Sequence, residues 1–227
     1  MKGLTVLAVL FATIGGALWL LVKPSDRDLE VIEERIAASL DVADSHLTDA
    51  TRILNGLRAI KPNILLLDRD LDDARIASKQ LRAILAEHEA DRPESRDGRG
   101  PRIDARKESE SRAEALGERV VNLVARAELV AEFMGATQPR VQVMRAKFGE
   151  LFRLRDKLAN DGTLDDTIRV KVDYLQLEVN KKQTLAKSVF DTGSRDADQG
   201  RILLNTAAKE VEQIIKEIDA LRQKMIQ

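Results

Sequence analysis

From Leu29 onward the apolar residues recur in steps of three and four: Leu29, Ile32, Ile36, Leu40, Ala43, Leu47, Ala50, Leu54 and Leu57. The mean spacing of about 3.5 is that of a packed helical seam and predicts a first helix with an acidic outer face. Pro62 interrupts it, because proline disfavours helical geometry in the residue before it, and Asn63 is a good cap for a new helix. Ile64, Leu67, Leu71, Ala74, Ser78, Leu81, Leu85 and His88 carry the second helix. Ile60 and Ile64 keep the register across Pro62, so a kinked continuous rod competes with a hairpin. The hairpin is preferred, since a connection of about two to five residues returns the second stripe onto the first.

The clearest pattern comes later, in Ala113, Leu116, Val120, Leu123, Ala127, Val130, Met134, Thr137, Val141, Met144, Phe148, Leu151, Arg155 and Leu158. Val124, Ala131, Phe133, Phe152 and Leu154 widen this stripe beyond a two-stranded rope and predict a multi-helix bundle. Pro139, preceded by Gly135, sits inside the unbroken register and reads as a kink, because no capping residue follows it. Asn160, Asp161 and Gly162 end the long helix, while Thr163, Asp165 and Asp166 resemble a helix start. Ile168, Val170 and Val172 then alternate like a strand, whereas Leu164, Ile168, Val172, Leu175 and Val179 fit a helical face. An isolated strand would have no ladder partner, so a helix to about Phe190 is expected. A turn at 191–194 leads to a final seam of Leu204, Ala207, Val211, Ile214, Ile218, Leu221 and Met225. The candidate bundle seam is Leu123, Val130, Val141, Phe148, Leu151, Val211, Ile214, Ile218 and Leu221.

Ahead of these helices, a two-residue stub (1–2) precedes the uncharged run 3–22, which is bounded by Lys2 and Lys23. As a helix it would rise about 30 Å, enough to cross a hydrocarbon core. A cleaved export signal is the competing reading, with small residues at Gly15, Gly16 and Ala17. Cutting there would leave an apolar stub from Leu18 to Val22, which favours an uncleaved transmembrane anchor. Ala8, Ala12 and Gly16 line one face of that helix as a candidate membrane helix-packing surface. The start of Met, Lys and an apolar run resembles an export signal, so the C-terminal part is expected outside the cytoplasm.

Residues 91–107 contain two prolines, two glycines, mixed charges and one large apolar residue, Ile103. Such a segment reads as a flexible charged linker dividing a hairpin or kinked helix at 26–90 from a bundle at 108–227. Its arginines are offset by interleaved acids and are expected to be solvated.

Composition narrows the chemistry. The chain has 37 basic and 38 acidic side chains, a formal charge of -1 and no cysteine. Near-neutrality gives no long-range field to collect nucleic acid. The lack of cysteine removes disulfides and thiolate catalysis. Aromatics make up only 3% of the residues, so the core must be aliphatic, as suits helices packed along seams. No phosphate loop, HExxH pair, nucleophile elbow or dinucleotide fingerprint is present. His46 and His88 have no second ligand at metal spacing. Asp68, Asp70, Asp72 and Asp73 fail the calcium-loop pattern, because Lys79 stands where the distal glutamate is needed.

The expectation is therefore an all-α protein of about five helices behind an N-terminal anchor, single-pass in the cell membrane. It is read as non-enzymatic, without cofactor, metal or evident small-molecule substrate. Its role is that of a structural or docking element of an envelope-associated assembly, with the membrane and a second copy or another helical protein as partners. A ligand-sensing helical ectodomain that signals through a separate membrane partner is the alternative.

Overall fold

The computed structural model describes residues 26–61, 64–90 and 99–227. The expected anchor at 3–22, with Ala8, Ala12 and Gly16, lies outside them, as do Pro62 and Asn63. Among the described residues no helix is long and apolar enough to cross a membrane, and the secondary structure is entirely helical.

The helices are α1 (Asp26–Ile60), α2 (Leu65–Ala90), α3 (Arg99–Glu132), α4 (Gln138–Asn160), α5 (Asp166–Gly193) and α6 (Ala197–Ile226). A π-helical turn, Phe133–Thr137, joins α3 to α4 without leaving helical geometry. Five rods therefore make up the described fold. The described residues divide into two compact units, one made of those within 26–44 and 76–118, the other of those within 45–75 and 119–227.

In the first unit, α1 and α2 run antiparallel: Ser78 donates to Asp44 at 2.6 Å, and Arg82 bonds both Asp44 and Asp41. Ile36, Leu40 and Ala43 are buried there with Leu81, Leu85 and Leu116. α3 begins at Arg99, inside the stretch expected to be a linker. The reason is visible in the packing: Ile103 is buried, and Arg106, 2% exposed, donates to Glu33 and to the His88 carbonyl at 2.6 Å each. An arginine expected in solvent is thus a buried, paired one. Its long-range partners offset the cost of taking its charge out of water.

The second unit carries the same antiparallel pairing of α1 and α2, with Arg58 bonded to Asp68 and Arg75 to Thr51. The hairpin is therefore realised on both sides of residues 62–63. Most of this unit is a bundle of α4, α5 and α6. Arg140–Glu212, Lys147–Asp219 and Glu150–Arg222 join α4 to α6 at a constant separation of 72 residues, so these two run parallel. Lys182–Glu210 and Arg155–Asp173 set α5 antiparallel to them.

The π turn follows from Pro139. Proline lacks an N–H, and its ring collides with the carbonyl four residues back, here that of Gly135. Widening one turn relieves the collision, and the Gln138 N–H reaches the Phe133 carbonyl instead. The rod passes through Pro139 without reversing.

Local chemistry ends and starts the next helices. Gly162, at φ 69°, closes α4: Thr163 N–H donates to the Leu158 carbonyl and Gly162 N–H to the Ala159 carbonyl, a Schellman arrangement. Asp165 caps α5 by accepting from the Thr167 and Ile168 N–H groups, and Asp196 caps α6 by accepting from Gln199 N–H. α5 is a helix throughout, so Ile168, Val170 and Val172 form no strand.

Candidate functional site

Leu123, Val130, Val141, Leu151, Val211, Ile214, Ile218 and Leu221 are buried in the second unit, and Phe148 is partly buried with its ring 6.0 Å from that of Phe152. These side chains are occupied chiefly by the packing of the unit itself. Arg155, the polar member of the stripe, lies over the Phe152 ring at 3.7 Å from its centroid and pairs with Asp156 and Asp173. It is the guanidinium itself that covers the aromatic face, a cation–π contact, while the two aspartates pair with the same charged group.

The acids of α2 are held by arginines. Asp68 pairs with Arg58, Asp70 with Arg126, Asp72 with Arg75 and Asp73 with Arg119. The pairs of Asp68, Asp70 and Asp73 join α2 to neighbouring helices, whereas Asp72–Arg75 lies within α2. His46 is half-buried, and the His88 ring lies 3.1 Å from the Ser109 hydroxyl.

α5 has two apolar faces. Val172, Leu175, Val179, Ala186 and Val189 are buried against α4 and α6. On the other side Val170, Tyr174 and Leu177 are 63%, 56% and 61% exposed. They step by four and three, so they form a short second seam that nothing in the unit covers. Beside it a groove of 310 Å³ between α5 and α6 has Leu175, Ala220 and Leu221 along its floor and Tyr174, Lys171 and Lys224 at its rim. Sequence reading missed this face because Val170 was absorbed into an apparent strand alternation. Its signal was the 170, 174, 177 spacing.

A second groove, of 410 Å³, lies beside the π turn. Phe133, Met134, Val141 and Phe190 supply apolar surface, while Lys61, Arg145, Lys187 and Asp191 supply charge. The Lys61 ammonium sits 3.1 Å from the centroid of the Phe190 ring. Burial pushes its pKa below the ordinary lysine value, and Asp191 partly offsets that.

Glu178, only 9% exposed, accepts from Lys181 at 2.6 Å and lies 3.2 Å from Lys182. Those two lysines, Lys181 foremost, hold its carboxyl below the usual glutamate range. Burial works against the charge of Lys182, yet Glu210 and Glu178 together keep its pKa above the ordinary value. Among the described residues no group of three or more histidine, aspartate or glutamate side chains is arranged to hold a metal ion.

No protein-family model, curated protein or solved structure matches the chain.

Proposed function

We propose that the protein is a structural or docking element of an envelope-associated assembly, held by a membrane anchor at 3–22 and receiving a partner helix on the outer face of α5. One observation carries this reading: Val170, Tyr174 and Leu177 stand exposed in helical register on a rod whose opposite face is already buried. Three large side chains at four-three spacing match the way a helix presents its face to another helix. The adjoining groove with Tyr174 at its rim supplies a recess for an apolar anchor residue. The uncharged run 3–22 supports placement in the cell membrane with the helical part outside the cytoplasm.

Photo-crosslinking in living cells tests it, with the crosslinker placed in the full chain at Tyr174, Leu177 or Gln176. Gln176 lies on another flank of the same helix. Discrete adducts are expected from 174 and 177 and not from 176. An adduct of twice the chain mass identifies a second copy as the partner. Absence of adducts at 174 and 177, or equal yield at 176, would overturn the reading.

A further inference from the structure

We infer that the groove beside the π turn is a binding site for a small organic anion with an apolar body, an arylalkyl carboxylate being the simplest member of the class. The site lies wholly within the second unit, and its 410 Å³ falls in the range of small-molecule sites.

Charge determines the sign of the ligand. Lys61, Arg145 and Lys187 face the groove against a single acid, Asp191. Two other lysines of this unit are by contrast closely matched by acids: Lys147 contacts both oxygens of Asp219, and Lys182 bridges Glu178 and Glu210. Among the described residues none of the three groove cations makes a salt bridge to a carboxylate. Lys61 is also held over the Phe190 ring and partly desolvated, so its attraction for an incoming anion is less screened than that of a surface lysine.

The apolar lining determines the rest of the ligand. Phe190 and Phe133 present ring surface, and Met134 can adapt to an irregular partner. A bare inorganic anion would leave this surface wet, and a neutral apolar molecule would leave the cations unmatched. A carboxylate on a short chain ending in a ring satisfies both. The groove shares no lining residue with the exposed outer face of α5, so either site can stand without the other.

The test uses the full chain in lipid nanodiscs, titrated with 3-phenylpropionate, 3-phenylpropionamide and acetate by ligand-observed NMR. Saturable binding of 3-phenylpropionate is expected, weaker by about tenfold or more for the amide and for acetate. The double charge reversal Arg145→Glu, Lys187→Glu should weaken 3-phenylpropionate by a similar factor, with the melting temperature of the free protein unchanged. No saturable binding of 3-phenylpropionate, or equal binding of the amide by the unaltered chain, would overturn the inference. So would a double variant that melts normally and binds as before. The comparison of carboxylate with amide needs no variant and decides the matter even if the double variant fails to fold.

Discussion

The Arg126 guanidinium lies 2.8 Å from the Asp70 carboxylate and 3.0 Å from the Ser194 carbonyl, with its side chain 9% exposed. One residue of α3 thereby ties α2 to the turn that follows α5. Its Nε is buried without a hydrogen-bond partner, so the group is incompletely satisfied. Removing the acid strands a buried cation, whereas removing the cation leaves an acid that can still reach water. Asp70→Ala should therefore cost about 3 kcal/mol, and Arg126→Met only about 1 kcal/mol. Urea unfolding of the two variants checks the order. The reverse order would mean that the guanidinium is solvated.

Gly193 and Gly200 are matched to each other. A Cβ on Gly200 would fall 2.5 Å from the Gly193 Cα, and one on Gly193 would collide with Leu129 Cδ2. Gly200→Ala must displace backbone and should cost about 1 to 3 kcal/mol. Gly56, exposed within α1 with open space around its Cα, is the contrasting case. Gly56→Ala should stabilise by about 0.5 to 1 kcal/mol through helix propensity. Denaturant midpoints of the two variants should move in opposite directions.

Glu178 makes stability depend on acid pH. Its pKa is depressed in the folded chain by Lys181 and then Lys182, so at low pH the unfolded chain binds the proton more readily than the folded one. The stabilisation is present above the ordinary glutamate range and disappears as pH falls through the depressed value. The melting-temperature gap between the unaltered chain and Glu178→Gln should be constant near neutrality and close as pH falls through that range. A gap that persists in acid would show that the carboxylate charge is not what stabilises this contact.

The helical seams were readable because each buried stripe must recur every three or four residues on its own rod. Ile36, Leu40, Leu54, Leu71 and Ile218, all fully buried or nearly so, obey that rule without reference to any other part of the chain. Residues 99–107 were not readable, because Arg106 is stabilised by Glu33 and the His88 carbonyl, which only tertiary folding brings near. The seam register did continue upstream through Ile103, Arg106 and Ser109, but with polar occupants that composition assigns to solvent. The π turn had a local signal in the Gly135-to-Pro139 spacing, since a proline meets the carbonyl four residues back. The outer face of α5 and the Lys61 groove were harder to see. Which of a helix's apolar faces stays open depends on how many rods surround it, and the groove joins Lys61, just past the end of α1, with residues of the π turn, α4 and α5.

Val170 and Val172 test the two-faced character of α5 most directly, because a helix puts them on opposite sides and a strand would put them on the same one. Thermal melting of Val170→Asp and Val172→Asp in the full chain is the decisive comparison. Val172→Asp should lose the cooperative transition, since it buries a charge in the bundle. Val170→Asp should melt within about 2 °C of the unaltered chain, as a solvent-facing substitution does. Equal destabilisation by both would mean that the face assigned to a partner is already occupied, and the account of α5 would fail.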